Sequence, residues 1–323
     1  MANLRDVAQR AGVDPSTASR VLRGDPSQQV RPETRDRILA AARELAYRPN
    51  ALARGLRTRR TDTIGLIIPS LDNLGFSEVT HGIQAAAAAQ GKLVMVVDAG
   101  AAAVAGEDLE QAAAAAYERL IGDGRLDGLI VAFATLDDQQ VARLAAHGVP
   151  LVLVNRRTIG VHGSVVVDDA RGIALAVEHL ASLGHRRIGF VGLDIDTDTA
   201  RRRRNGYRSA MGAAGLPLDD AWSAVAEPTV DGGRAAVARL LAVSRRSRPT
   251  AVVVASLMSA VGVLAALHDA GIRVPDQVSV VAFNDHPFAD HTAPPLTTVR
   301  MPSRRMGEEA VRLLIDALEG EPV

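Results

Sequence analysis

Ser16 and Arg20 stand four residues apart near the amino terminus, which places a hydroxyl and a guanidinium on one face of a helix. A guanidinium in the major groove of DNA can bind O6 and N7 of guanine together, whereas a hydroxyl discriminates between bases more weakly. Pro15 offers only contact with a base methyl group, and Thr17 suits a phosphate contact or packing. A phosphate contact is also the alternative for Arg20.

Short amphipathic helices must hold these side chains. Residues 4–11 carry apolar side chains at helical spacing, and Gly12 then allows a turn. Asp14 and Pro15 are a typical cap and first residue of a second helix, predicted to run to about Leu22 with Ala18 facing inward. A third helix is predicted from about residue 31 to 47. The pattern is that of a helix-turn-helix.

Charge separates this segment from the rest of the chain. Residues 1–60 contain 13 arginines and six acidic residues, a net charge of +7, and the remaining 263 residues carry −7. A basic head on an acidic body is typical of a module that binds nucleic acid and is joined to another domain. RNA or an anionic lipid surface could also attract such a head.

Catalytic and metal-binding patterns are missing from the sequence. Zero cysteines exclude disulfides and thiolate metal sites, and no P-loop, nucleophile elbow or HExxH motif occurs. His286 and His291 lie in a proline-containing loop, which favours chance over a metal site. No apolar run is long enough to span a membrane, and the amino terminus resembles no export signal. We therefore expect a cytoplasmic protein without catalytic residues, metal or cofactor.

From residue 61 onward, short apolar runs alternate with helical patterns. Strands are predicted at 64–68, 93–97, 128–131, 151–154, 165–167, 188–191, 251–254 and 278–282. Helices are predicted at 76–89, 107–121, 137–146, 169–183, 200–214, 231–242, 257–270 and 302–318. This alternation indicates parallel sheets covered by helices, and the number of units indicates two doubly wound subdomains. Ligands of such folds bind in a crevice at the carboxyl ends of the strands.

The whole chain resembles the lactose/galactose-repressor (LacI/GalR) family. The strongest match is DVAQRAGVDPSTASRVL at 6–22, beside the family's usual DVAxxAGVSxxTVSRVLN. It continues through VRPETR at 30–35, LAYRPN at 45–50, ARGL at 53–56, IGLIIP at 64–69, VNR at 154–156, HLASLGH at 179–185, VVAF at 280–283 and PLTTV at 295–299. The resemblance implies an all-α helix-turn-helix head and an α/β periplasmic-binding-protein-like sensor.

The resemblance also implies which residues line the crevice for a small-molecule effector: Phe76, Asn155, Arg203, Ser256 and Asn284. Arg203 belongs to a run of four arginines, 201–204, so the choice within that run stays open. Ser256, Leu257 and Asn284 replace an amide and two carboxylates that are usual in the family. Fewer carboxylates bind sugar diols less well, so we expect a more anionic or less hydroxylated ligand than a common hexose.

Residues 50–57 resemble the family's hinge helix, which is too short to be stable alone and contains Gly55. We expect it to become ordered on the operator, with Leu56 inserted into a minor-groove base step and Arg54 and Arg57 on phosphates. The alternative is that Leu56 packs on the sensor.

These expectations define a domain plan: a DNA-binding domain at 1–49, a hinge at 50–60, and a sensor at 61–323. Within the sensor, the first subdomain is expected at about 61–160 and 290–320, and the second at about 161–289. Family members generally continue beyond residues 319–322 into a final strand, so we expect either that this sequence is a piece of a longer chain or that this strand is missing. The sequence ends without a leucine heptad, so we expect no tetramerising tail. The expected protein is a homodimeric, allosteric repressor of transcription that binds a pseudo-palindromic operator. The alternative is a solute-binding protein without a role on DNA.

Overall fold

The computed structural model describes residues 2–22, 30–47, 60–99, 122, 124–161 and 163–320. The chain forms two compact units, Met1–Thr61 and Asp62–Val323, which are considered separately.

In its described residues, the first unit contains three helices: α1 (Leu4–Ala11), α2 (Pro15–Leu22) and α3 (Pro32–Glu44). Asn3 and Asp6 form a capping box at the start of α1, and Gly12 ends that helix in the left-handed conformation that glycine adopts without strain. One small apolar core holds the helices together, and its fully buried members include Val7, Ala18 and Ile38. The predicted bounds of the first two helices agree with the structure.

The second unit contains two five-stranded parallel sheets. The first sheet has the order β2-β1-β3-β4-β5 and comprises β1 (Thr63–Ile68), β2 (Leu93–Asp98), β3 (Gly128–Val131), β4 (Leu151–Val154) and β5 (Ser164–Val165). The helices α4 (Ser77–Ala89) and α5 (Gln139–Ala146) follow β1 and β3 in the described sequence. Every residue of β3 and β4 is buried, as expected of parallel strands covered on both faces.

The second sheet has the order β10-β9-β8-β6-β7. It comprises β6 (Ile188–Leu193), β7 (Ser223–Ala226), β8 (Ala251–Val254), β9 (Ser279–Phe283) and β10 (Thr297–Val299). The accompanying helices are α6 (Asp169–Ser182), α7 (Asp198–Ala213), α8 (Val230–Leu241) and α9 (Leu257–Asp269), and α10 (Ser303–Glu319) follows β10. Helix α10 returns to pack on α4, β3 and β4 of the first sheet.

Strand pairing corrects the expected limits of the two subdomains. β5 lies beyond residue 160 but pairs with β4, so the first sheet extends to Val165. β10 lies beyond residue 289 but pairs with β9, so the second sheet extends to Val299. Neither β7 nor β10 was predicted, because each is a short edge strand without a continuous apolar run. The helix predicted at 107–121 lies outside the described residues.

No helix in the described part of the chain is both long enough and apolar enough to cross a membrane.

Close packing of α6 against α7 depends on Gly206. A Cβ atom at this position would lie 2.6 Å from Cα and 2.9 Å from the carbonyl oxygen of Ala170. Backbone atoms cannot move aside as a flexible side chain can, so the two helices approach this closely only because residue 206 has no side chain.

We expect Gly206→Ala to lower the free energy of unfolding by about 1–3 kcal/mol, because the added methyl group forces α6 and α7 apart. Gly212→Ala is the matched control: it lies in the same helix, and a Cβ there meets nothing within 4 Å. That control should raise stability by about 0.5 kcal/mol through the higher helix propensity of alanine. Urea denaturation of both variants measures the difference, and equal effects would contradict the packing argument.

Candidate functional site

Helix α2 presents a polar face. Pro15, Ser16 and Arg20 are exposed and Thr17 is half-buried, whereas Ala18 and Val21 are buried in the head core. The backbone N–H of Ser16 donates to Asp14 Oδ1 at 2.8 Å. Hydrogen bonds from the side chain of Ser16 and from this backbone N–H lower the pKa of Asp14. Asp14 therefore caps the helix as predicted, and the four predicted DNA-contacting residues of α2 stand on or beside one accessible surface.

The hinge residues Arg54, Leu56 and Arg57 lie outside the described residues.

A cavity of about 840 Å³ opens at the carboxyl ends of both sheets. Its lining follows the strands: residues 69–76 come after β1, 133–135 after β3, 193–197 at the end of β6, and 227–230 after β7. Parallel strands bring these loops together because all their carboxyl ends meet at one edge of the sheet. The size suits a small organic molecule.

All five residues expected to contact an effector line this cavity. Phe76 ends a short 3₁₀ helix, Leu74–Phe76, and is buried. Ser256 caps α9, where its hydroxyl accepts from the N–H of Ser259 at 3.5 Å. The structure thus brings together side chains from five separate segments, although contact with a ligand stays a prediction for each of them.

Two asparagines occupy equivalent places in the two sheets. Asn155 follows β4 with φ 58°, and Asn284 follows β9 with φ 80°. Asparagine tolerates this left-handed conformation better than most residues. Asn284 Nδ2 also donates to the carbonyl oxygen of Gly75 at 3.3 Å, so it joins the end of β9 to the loop after β1 across the cavity.

Arg203 is the member of the arginine run that lines the cavity. Its Nε donates to Asp169 Oδ1 at 2.7 Å and its Nη1 to the carbonyl oxygen of Ala255 at 2.6 Å. The guanidinium carbon lies 4.1 Å from the centroid of the Phe283 ring. Burial lowers the pKa of Arg203, although Asp169 opposes the shift.

The other arginines of the run have different roles. Arg202 donates to Asp169 Oδ2 from Nε at 3.0 Å and from Nη2 at 2.6 Å, and it also pairs with Asp198. Arg201 is exposed and pairs with Asp196 at 2.9 Å. Arg204 is exposed.

Arg156 and Asp169 were not among the predicted site residues. Arg156 lines the cavity with only 6% of its surface exposed, and Asp169 is fully buried beneath Arg203. Burial, together with the positive charge of Arg203, lowers the pKa of Arg156 to about 10. The VNR motif already contains Arg156, but no pattern in the sequence links Asp169 to residues 33 and 34 positions later.

The expected shortage of carboxylates is only partly correct. Four acidic residues line the cavity, and all are exposed: Asp72, Asp194, Asp196 and Glu227. None of them occupies the positions that the resemblance predicted. The negative charge therefore lies on accessible residues, while both lining guanidiniums, Arg156 and Arg203, are buried.

Comparisons with known proteins agree with this arrangement. The family described as "Bacterial regulatory proteins, lacI family" matches residues 3–50, and "Periplasmic binding protein-like domain" matches residues 177–323. The HTH-type transcriptional regulator GalS of Salmonella typhimurium is 33% identical over 323 residues, which cover 99% of this chain and 91% of GalS. The chain belongs to the LacI family of bacterial transcriptional regulators.

Solved structures of this LacI family support the same conclusion. The lac repressor dimer bound to operator and the anti-inducer ONPF has a TM-score of 0.85 and 28% identity, covering 100% of this chain and 94% of that one. A complex of the transcriptional regulator CelR with cellobiose has a TM-score of 0.71 and 31% identity, covering 100% and 95%. The predicted family, the fold class and the role in transcription regulation are confirmed.

We expect Asp169→Asn to lower the free energy of unfolding by about 3–5 kcal/mol, because it leaves the buried Arg203 without its carboxylate. Asp196→Asn removes the carboxylate of an exposed pair in the same region and should cost under about 1 kcal/mol. Chemical denaturation compares the two variants. Equal losses in the free energy of unfolding would mean that the buried Asp169 pair stabilises the protein no more than the exposed pair does.

Proposed function

We propose that this LacI-family chain is a dimeric repressor whose affinity for a pseudo-palindromic operator changes when a small molecule occupies the crevice. The observation that carries the proposal is the cavity of about 840 Å³ at the facing strand ends, lined by all five predicted effector residues. The lac repressor neighbour, a dimer on its operator, and the CelR complex with cellobiose support the partners.

We propose a separate role for each of the three segments of the chain. Residues 1–49 bind the major groove, with Arg20 on guanine, Ser16 and Pro15 on neighbouring base edges, and Thr17 on the backbone. Residues 50–60 form the hinge, in which Leu56 kinks the minor groove and Arg54 and Arg57 bind phosphates. Residues 61–323 bind the effector and form the dimer.

The mechanism follows from linkage between two binding equilibria. A ligand that binds one relative orientation of the two sheets more tightly than another shifts the population toward that orientation. Residues 50–60 precede β1 in the sequence, so we expect a movement of the first sheet to alter the positions of the two hinge segments in a dimer. Operator affinity then changes by the same factor by which the operator changes ligand affinity.

Two further properties belong to this proposal. A regulator that binds chromosomal DNA acts in the cytoplasm, and its chemistry consists of binding equilibria rather than catalysis. The basic head supports a strong dependence of operator binding on salt, because each neutralised phosphate releases counterions.

Selection from a library of palindromic duplexes tests the proposal directly. The full chain should enrich one palindrome, and Arg20→Ala should lose about 1–3 kcal/mol on that site and accept other bases at one position. Failure to enrich any palindrome would contradict the proposal. A uniform loss on all duplexes, with a salt dependence reduced by about one counterion, would instead make Arg20 a phosphate contact.

Leu56→Ala should weaken binding to the selected operator and reduce the bend of the duplex, because alanine is too short to separate a base step. Circular-permutation mobility shifts measure the bend, and titration measures the affinity. An unchanged bend angle with unchanged affinity would assign Leu56 to packing on the sensor.

A further inference from the structure

The floor of the cavity holds more positive than negative charge. What we call the arginine cluster comprises three guanidiniums, Arg156, Arg202 and Arg203, and two carboxylates, Asp169 and Asp198. Arg202 and Arg203 pair with the carboxylates, whereas Arg156 is joined to Arg202 through Thr199 Oγ1. Their side chains are 0–21% exposed. The arginine cluster therefore carries a net charge of +1 that is largely shielded from water.

The unbalanced charge lies on Arg156. Its Nη1 donates to the carbonyl oxygen of Asn155 at 2.8 Å and to Thr199 Oγ1 at 3.1 Å, both of which are uncharged. Among the described residues, no carboxylate lies within ion-pairing distance of Arg156, and its Nε has no hydrogen-bond partner. Oδ1 of the adjacent Asn155 is also buried without a hydrogen-bond partner in the described part of the chain.

The surroundings of Arg156 make this arrangement costly. A buried charge without a paired carboxylate destabilises the folded protein, and the positive charge of Arg203 repels Arg156 further, although Asp169 attracts it without direct contact. The four cavity carboxylates are exposed, so water weakens their attraction to a buried cation. A side chain kept in such a place is typical of a binding site that is completed by its ligand.

Arg203 is not available to bind an anion of the ligand. Asp169 and the carbonyl oxygen of Ala255 already occupy its guanidinium, and the Phe283 ring covers it. An anion arriving at Arg203 would compete with the fully buried Asp169, whereas an anion at Arg156 would meet no carboxylate in contact with that side chain.

We propose that Arg156 binds an oxyanion of the crevice ligand, so that the effector is an anionic molecule such as a sugar acid or a sugar phosphate. This inference rests on the proposed function, because it assumes that the crevice binds the effector. The oxyanion supplies the counter-charge that the arginine cluster lacks, and arginine suits carboxylates and phosphates because its donors match two oxygens at once. A hydroxyl or amine on the same ligand satisfies Asn155 Oδ1.

Thermal unfolding of the full chain tests the inference with three probes that share one ring: D-glucose, D-glucuronate and D-glucose 6-phosphate. The proteins are the wild type, Arg156→Met, and Arg201→Met as the control. Arg201→Met removes the same charge two residues before Arg203, on an exposed side chain outside the cavity lining. Sodium chloride at equal ionic strength corrects for screening.

One anionic probe, the carboxylate or the phosphate, should raise the melting temperature of the wild type and of Arg201→Met in a saturable manner, by mass action. Arg156→Met should weaken this binding by about tenfold or more, since a charge-assisted contact is lost. Without any probe, Arg156→Met should melt at or above the wild-type temperature, because it removes an unpaired buried charge.

Two results would overturn the inference. One is that D-glucose stabilises the wild type and Arg156→Met equally. The other is that no probe shifts the wild type while Arg156→Met melts well below Arg201→Met, which would make Arg156 a structural cation. Binding of the selected operator by Arg156→Met separates the two proposals. If Arg156→Met binds the operator but no anionic probe stabilises the wild type, the proposed regulator function stands and the anionic effector is wrong. If the wild type selects no palindrome, the regulator function itself is wrong.

Discussion

Asp169 begins α6 inside the protein, and its two oxygens hold two arginines of α7. This double ion pair, with the contact of Gly206 against Ala170, sets the distance between the helices and places Arg203 over Phe283 at the cavity floor. A fully buried carboxylate is tolerated only while it is paired. The side chains that face the cavity therefore depend on a contact that lies beneath it.

The direction of the strands supplies the second constraint. Two parallel sheets direct loops from β1, β3, β4, β6, β7, β8 and β9 toward one cavity, although these loops are spread over some 200 residues. Asn284 connects the two sides by its hydrogen bond to Gly75. A crevice built from two sheets can change its width with little change inside either sheet, which is the physical basis for regulation by a ligand.

Much of the fold could be predicted because its signals are local. Helical spacing, the Asp14 cap and the turn at Gly12 predicted the bounds of α1 and α2, and short apolar runs predicted eight strands. The edge strands β7 and β10 were not predicted from the sequence, since Ser223–Ala226 alternates between exposed and buried residues and Thr297–Val299 is only three residues long. The expected subdomain limits were wrong by a few residues, because pairing partners rather than runs decide which sheet a strand joins.

By itself the sequence determined the family, the head, the alternation of strands and helices, and the five positions that line the cavity. The tertiary structure decided which partners those positions contact and which of them are buried. It selected Arg203 from four consecutive arginines, paired it with Asp169, and left Arg156 buried beside uncharged partners. Periodicity and capping depend on neighbours along the chain, whereas the charge balance of a buried site depends on residues brought together by packing from dozens of positions away.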